Sequence, residues 1–174
     1  MRVRTPLGLD LVLMSDGESI FASDFRPPRA TAGRGGDALL REARDQVRAY
    51  FARRLRRFDL PLALEGTPFN VAVWRAVADL RFGEIVSYAD VARAVGHPRS
   101  YRGVAAAMGK TPLDLLVPAH RVIGADGKIK GAGVNSLRRR LLIFEGYVTR
   151  LTDESDDAIQ RKDLRRRSGL PRRL

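Results

Sequence analysis

Hydrophobic residues follow two different periods along the chain, and the first of them predicts strands. Four leucines near the N-terminus occupy every second position, which predicts a strand with one buried face. These leucines are Leu7, Leu9, Leu11 and Leu13. The Asp16-Gly17 pair is a turn signal, and residues 19–25 are therefore expected to return as a second strand.

From residue 37 to about residue 57 the apolar spacing changes to that of a helix. The apolar positions are Leu40, Ala43, Val47, Tyr50 and Phe51. The opposite side carries Arg41, Arg44, Arg48, Arg53, Arg56 and Arg57. Such a charged side is typical of a solvated helix face. Contact with a nucleic-acid backbone is the alternative that the sequence leaves open.

Beyond a short linker bracketed by Pro61 and Gly66, a second helical stretch begins. Its apolar stripe consists of Phe69, Val73, Val77 and Leu80. Trp74 flanks this stripe, and we expect it in the core rather than on the surface as a stacking platform.

Two shorter helices separated by a turn are predicted next. Ser87, with Asp90 three residues later, is typical of a helix start. Tyr88, Val91, Ala92 and Val95 form the apolar face of the first short helix. Gly96-His97-Pro98 predicts the turn, with Pro98 at the first position of a helix over residues 99–108. This order is that of a helix-turn-helix unit.

The second helix of this unit has two different sides. We expect one side to pack inward; it consists of Tyr101, Val104, Ala105 and Met108. The other side carries Arg99, Arg102, Gly103, Ala106 and Lys110. Small residues let a helix approach a nucleic-acid groove closely, and cations meet phosphates, so this pattern favours a recognition helix. An ordinary surface helix is the alternative.

Composition narrows the class of partner. The chain has 174 residues, 44% of them hydrophobic, which suffices for one or two modest cores. Its net charge of +12 favours phosphate-rich partners and a salt-sensitive affinity for nucleic acid. The sequence contains neither a long uncharged apolar run nor a signal-peptide pattern. We therefore expect no membrane contact and no secretion, with a location in the cytoplasm at the nucleoid, or in a nucleus.

Metal and disulfide chemistry are disfavoured by the residue counts. The chain has no cysteine, which excludes disulfides and thiolate metal sites. It has two histidines, His97 and His120, which are too few to favour a histidine-based metal site. We expect neither a metal nor an organic cofactor.

The segment Pro118-Ala119-His120-Arg121-Val122 carries the candidate chemistry. It follows the apolar run 113–117 and precedes a Gly-Ala-Asp-Gly turn over residues 124–127. Together with segments 67–69, 82–88, 102–108 and 141–146, it resembles the C-terminal domain of the O6-alkylguanine-DNA alkyltransferase family. In that family the segment reads Pro-Cys-His-Arg-Val, and the cysteine accepts the alkyl group from damaged DNA. Ala119 stands in the place of this acceptor.

This resemblance covers residues 67–147, and a looser one begins at Thr5-Pro6-Leu7-Gly8. It implies an α+β fold. A small N-terminal α/β domain of the ribonuclease H-like type would cover residues 1–66. A mainly helical winged helix-turn-helix DNA-binding domain would cover residues 67–148. Composition, rather than the resemblance, predicts that residues 149–174 form a basic, mobile tail that adds non-specific DNA affinity. A partner-docking segment and an extension without a role are the alternatives.

The resemblance also implies roles for individual residues. The recognition helix would enter the minor groove, where Arg102 fills the gap left by the extruded guanine and Tyr88 assists flipping. The other predicted DNA contacts are Arg99, Gly103, Ala106 and Lys110. The predicted lesion pocket consists of Tyr88, Val117, Pro118, Ala119, Gly131, Ala132 and Gly133. Taken alone, Tyr88 is equally a core tyrosine.

His120 and Glu145 complete the implied site. In the family the histidine takes the proton of the thiol through a water, and the glutamate orients the imidazole. Because Ala119 has no thiol to deprotonate, we interpret Ala119, His120 and Glu145 as a vestigial site without an active catalytic residue. A purely structural histidine is the alternative. Arg121 is expected to tie the segment to its domain rather than to touch DNA.

Two departures from the family pattern concern the pocket. Thr111-Pro112 stands where the family has Asn-Pro, whose asparagine braces the turn that carries the segment. Residues 130–133 read Lys-Gly-Ala-Gly where the family has a Gly-Tyr pair that lines the alkyl pocket. The loss of an aromatic wall predicts a wider pocket.

These observations predict a monomeric, non-enzymatic DNA-damage recognition protein. It would bind duplex DNA that contains O6-alkylguanine, hold the flipped base, and mark it for excision-repair proteins. Two alternatives stay open. The first is a suicide alkyltransferase in which Ala119 is an engineered replacement of the acceptor cysteine. The second is a helix-turn-helix regulator that reads undamaged DNA.

Overall fold

A computed structural model describes residues 1–29, 36–127 and 136–147 of the chain. The predicted tail over residues 149–174 and the pocket residues Gly131, Ala132 and Gly133 lie outside these ranges. The described part combines a small sheet with helices, which confirms the α+β class. Within it, every helix is too short or too polar to cross a membrane.

The N-terminal sheet is antiparallel and has the order β1 (Arg2–Arg4), β2 (Asp10–Ser15) and β3 (Ile20–Arg26). The predicted second strand is confirmed as β3. The predicted first strand begins only at Asp10, because Leu7 and Leu9 lie in a turn where Gly8 has a φ of 68°. Strand β1 was missed, because its three residues are too few for an alternating pattern to indicate a strand.

Helix α1 spans Ala38–Phe51 and begins with the side chain of Asp37 accepting a hydrogen bond from the Leu40 N–H at 2.7 Å. Leu40, Ala43, Val47 and Tyr50 are buried, which confirms the predicted apolar face. The helix ends six residues earlier than the predicted residue 57. The reason is local, because Arg53 adopts a left-handed φ of 59° that stops helical hydrogen bonding.

Helix α2 spans Pro68–Ala78 and begins at Thr67, whose hydroxyl accepts from the Asn70 N–H at 3.2 Å. Trp74 is 2% exposed, and its ring N–H donates to the carbonyl of Ala107 at 2.8 Å. Trp74 is therefore a core residue, as the sequence predicts.

Helix α3 spans Tyr88–Ala94 and begins with the predicted box. The Ser87 hydroxyl accepts from the Asp90 N–H, and the Asp90 carboxylate accepts from the Ser87 N–H. The start signal read from the sequence is thus confirmed.

Helix α4 spans Tyr101–Met108, so it begins two residues later than predicted, and Pro98 and Arg99 lie in the preceding turn. The expected inward position of Tyr101 is wrong, because this side chain is 47% exposed. The buried residues are Val104, Ala107 and Met108. Successive side chains of a helix are rotated by about 100°, so the centre of the buried stripe lies near Val104. Tyr101 lies at the edge of this stripe.

Two short parallel strands position the candidate site. β4 (Val86–Ser87) pairs with β5 (Val122–Ile123), and a single 3₁₀ turn over Ala119–Arg121 leads into β5. The last described helix, α5, spans Leu137–Phe144. The strand pair therefore fixes the 3₁₀ turn close to the start of α3.

The N-terminal sheet also contacts this region directly. Ser23 of β3 donates its backbone N–H to the Pro112 carbonyl, and its carbonyl accepts from the Asp114 N–H, both at 2.9 Å. The buried apolar residues of residues 1–66 and of residues 67–147 form one cluster. The proposed boundary between two domains stays a prediction.

Candidate active site and DNA-facing helix

The segment that leads to Ala119 has an unusual backbone. Leu115 is 2% exposed and has a φ of 68°, in the left-handed region that residues with a Cβ rarely adopt. The Thr111 hydroxyl accepts from the Leu113 N–H at 3.3 Å, so threonine still braces this segment in place of an asparagine. Such local strain is concentrated at functional sites in proteins.

A buried carboxylate lies next to the 3₁₀ turn. Glu145 follows α5, and its side chain is fully buried. Its Oε1 is 2.9 Å from His120 Nε2 and 2.8 Å from an Arg121 guanidinium nitrogen. The same oxygen accepts from the hydroxyl of Tyr50 at 2.7 Å. The sequence predicted the His120–Glu145 pair by resemblance, and it missed Tyr50 as a site residue.

Arg121 is anchored inside the protein rather than presented to solvent. It is 2% exposed, its Nε lies 3.1 Å from both oxygens of Glu145, and it donates to the Leu80 carbonyl at 2.5 Å. These contacts tie the 3₁₀ turn to the residue that follows α5 and to the segment just after α2. A buried guanidinium needs this partner, because an unpaired buried charge is strongly destabilising.

The electrostatics of the cluster favour a neutral imidazole beside an ionised carboxylate. Burial lowers the pKa of His120, and the charges of Arg121 and Arg138 lower it further against the effect of Glu145. Burial acts to raise the pKa of Glu145, but the hydrogen bonds and charges of His120 and Arg121 outweigh it and hold this pKa well below its usual value. At neutral pH the ionised Glu145 must therefore accept from His120.

A cavity of about 100 Å³ opens beside Ala119. Its walls in the described ranges are Asp114, Leu115, Val117, Ala119, His120, Leu137, Arg138 and Leu141. Of the predicted pocket residues in the described ranges, Val117 and Ala119 line it, whereas Tyr88 and Pro118 do not.

The sequence carried a signal for the wall residues that it missed on α5. Leu141 and Arg138 precede Glu145 by four and seven residues, so they share its helix face. Arg138 contacts the carbonyls of Ala119 and Val122, with 2.6 Å to the former. This arginine therefore holds the 3₁₀ turn against α5.

Tyr88 contacts Arg138, which lines the cavity, but does not line the cavity itself. It is 7% exposed, and its hydroxyl lies 3.2 Å from an Arg138 guanidinium nitrogen that donates to it. In this structure Tyr88 is therefore a core residue, which is the alternative that the sequence analysis left open. Its contact with DNA stays a prediction.

Helix α4 presents a basic surface. Arg99, just before the helix, and Arg102, Ala106 and Lys110 are all exposed, as the recognition-helix pattern requires. Gly103 is half-buried, and a Cβ placed on it would lie 3.2 Å from the ring of Phe69. The absence of a side chain at Gly103 thus serves the packing of α4 on α2, and its contact with DNA stays a prediction.

The arginines of α1 and the residues after it have local partners. Arg44 and Asp45 form an ion pair at 2.9 Å, as do Arg57 and Asp79. Arg53 donates to the carbonyl of Phe144 at 2.9 Å. These contacts agree with a solvated helix face. In the part of the chain that the structure describes, no three His, Asp or Glu side chains come together as metal ligands.

Comparison with known proteins decides the family. A methylated-DNA–protein-cysteine methyltransferase of Methanosarcina acetivorans is 41% identical over 111 residues, which are 63% of this chain and 71% of that protein. The sequence profile of the 6-O-methylguanine DNA methyltransferase DNA-binding domain matches residues 68–147. The chain belongs to the O6-methylguanine DNA methyltransferase family.

Solved structures agree with this assignment. The crystal structure of Mycobacterium tuberculosis OGT in complex with DNA has a TM-score of 0.70 and 32% identity over 94% of this chain and 96% of that one. A relative from Methanosarcina barkeri is 46% identical over 93 residues, which are 53% of this chain. The matched region spans 59% of the length of that relative.

The family assignment corrects the interpretation of this chain as a non-enzymatic sensor. Its relatives are named as methylated-DNA–protein-cysteine methyltransferases, which are enzymes. The interpretation rested on the single position of Ala119, whereas the family profile matches the whole segment 68–147 around it. The recruitment of excision-repair proteins stays a prediction.

Proposed function

We propose that this chain is a suicide O6-alkylguanine-DNA alkyltransferase in which Ala119 replaces the acceptor cysteine. The observation that carries the proposal is the buried hydrogen bond between His120 and Glu145 directly after Ala119. A binding protein that never activated a nucleophile would have no need of an oriented base at this point. The family relatives named as cysteine methyltransferases support the same conclusion.

The tautomer of His120 suits a general base. Because the carboxylate of Glu145 is ionised, it accepts from His120 Nε2–H, which leaves the Nδ1 lone pair as the proton acceptor. With a cysteine at position 119, this lone pair would take the thiol proton through a water. The thiolate would then attack the alkyl carbon, forming an S–C bond as the C–O6 bond breaks. The restored guanine would stay in the DNA strand and take up a proton from solvent, while the imidazolium returns the thiol proton to solvent.

Access to the lesion requires that the base leave the duplex, since O6 is buried in the base pair. We assign binding of the duplex to the basic side of α4, with Arg102 filling the gap in the stack. The cavity of about 100 Å³ is smaller than the roughly 300 Å³ at which ligand sites usually begin. We therefore expect its walls to move when the base enters. The protein is expected to act as a monomer.

Binding of a short duplex with and without one O6-methylguanine tests lesion recognition. The unmodified sequence, with Ala119, should bind the lesion duplex more tightly than the intact duplex at two salt concentrations. Both affinities should fall with salt because phosphates are contacted, whereas their ratio should change little. Equal affinity for the two duplexes would contradict the proposal and favour a regulator of undamaged DNA.

A further inference from the structure

Among the described residues, the side chains of His120, Arg121 and Tyr50 form a buried cluster with Glu145. Of these, Tyr50 comes from the N-terminal part of the chain. It lies in α1, outside the segment that the family profile matches, and 95 residues before Glu145. The side chain is 1% exposed. Four phenylalanine rings surround it at centroid distances between 4.9 and 5.6 Å: Phe51, Phe58, Phe82 and Phe144. Such packing leaves the ring little freedom.

The hydroxyl of Tyr50 is a donor of fixed direction. Burial raises the pKa of Tyr50 above its usual value, and the charge of Glu145 raises it further, so the hydroxyl keeps its proton. Its partner, Glu145 Oε1, is the same atom that accepts from His120. Arg121 donates to both carboxylate oxygens, and the Gly83 N–H lies 3.2 Å from Oε2.

We infer that Tyr50 is a positioning residue for the alkyl-transfer reaction, acting through Glu145 to set the orientation and tautomer of His120. This inference rests on the proposed function. Arg121 binds both carboxylate oxygens and so fixes the plane of the carboxylate, while Tyr50 shares Oε1 with the imidazole. The N-terminal part of the chain thereby acts on the base through Glu145.

Removal of the hydroxyl has a definite electrostatic consequence. In a Tyr50→Phe variant, Oε1 loses one donor, so its negative charge is less compensated and acts more strongly on the imidazole. The pKa of His120 should therefore rise, and the Nε2–H resonance should shift. The transfer rate should fall roughly threefold to tenfold, the effect expected for one hydrogen bond.

The chain offers a matched control for this variant. The Ser23 hydroxyl donates to the Asp114 carbonyl at 2.7 Å, so Ser23→Ala also removes one hydrogen bond between the N-terminal sheet and the later part of the chain. Neither atom touches Glu145. His97, the second histidine, is exposed and does not contact Glu145, so its ring gives a second signal outside the cluster.

The experiment has two arms. In the first, NMR follows both histidine rings through a pH titration in the chain with Ala119 unchanged. In the second, an Ala119→Cys background gives the rate of methyl transfer at saturating lesion duplex, the affinity for that duplex, and the pH profile of the rate. We expect Tyr50→Phe to shift the His120 titration and the rate profile to higher pH, with unchanged DNA affinity, whereas Ser23→Ala leaves all three as they are.

Each result decides the inference. Shifts that are absent in Tyr50→Phe, or equal in Ser23→Ala, would overturn it. If the Ala119→Cys background transfers nothing, the proposed function fails, and the NMR arm still decides whether Tyr50 sets the state of His120. If Tyr50→Phe does not fold, fluorotyrosine at position 50 replaces it. The fluorinated ring is a stronger donor to Glu145, and the His120 titration should then move to lower pH; no movement would overturn the inference.

Discussion

At position 119 a methyl group forms part of the cavity wall, and the next residue supplies an imidazole whose orientation is fixed. Reactivity at this site requires a thiolate, and the chain contains no cysteine. The base, its carboxylate and the arginine that binds the carboxylate are nevertheless in hydrogen-bond contact.

Asp114 gives a residue-scale prediction about pH. Burial, followed by the charge of Asp24, raises the pKa of Asp114 to about 6 against the opposing effect of the Phe25 N–H. Between its reference value of 3.8 and about 6, the folded state binds more protons than the unfolded state, so stability falls as pH rises through this window. Asp114→Asn removes the charge and keeps an acceptor for the N–H. The gain in Tm of the variant should be small near about pH 4 and largest above about pH 7.

Thermal unfolding of the parent chain and of Asp114→Asn across this range checks the prediction. Asp24→Asn removes the neighbouring carboxylate and should give a gain with the same pH dependence but a smaller size, since burial is the larger cause. A gain for Asp114→Asn that is independent of pH would show that its carboxyl is not the titrating group.

At the scale of elements, the sequence predicted those helix starts, helix faces and turns that depend on neighbouring residues. The Ser87–Asp90 box, the apolar face of α1 and the turn into β3 all depend on residues within a few positions of each other. The start of α4 was misplaced, because the proline at position 98 is compatible with both a turn and a first helical turn. The end of α1 was missed, because nothing in the sequence marks the left-handed Arg53.

Helix α4 carries an element-scale prediction. Arg102 is exposed on α4, whereas Arg56 is exposed after α1 with its guanidinium 5.7 Å from the ring centre of Phe82. Arg102→Ala should lower the affinity for the lesion duplex roughly tenfold, because in the proposed binding mode this side chain fills the gap in the base stack. Arg56→Ala should have a smaller effect. Titration of labelled duplex under one salt condition measures both, and comparable losses would mean that the recognition surface is misassigned.

At the scale of the whole molecule, the sequence predicted the family and the α+β class, but not the contacts that join distant parts of the chain. The hydrogen bond from Tyr50 to Glu145 crosses 95 residues, and no periodic pattern indicates which buried tyrosine meets which carboxylate. The pairing of Ser23 with residues 112–114 is hidden for the same reason. In contrast, the His120–Glu145 pair was predicted from the sequence. Resemblance to a family indicates contacts between distant residues, whereas local propensity does not.

Transfer of a labelled methyl group from O6-methylguanine DNA to an Ala119→Cys variant is the most direct test of the central claim. The account predicts one methyl group per protein molecule, attached at position 119 and resistant to denaturation, with no label on the parent chain. A variant that folds and binds the lesion duplex, but acquires no label, would contradict the claim that position 119 is the acceptor site of an alkyltransferase.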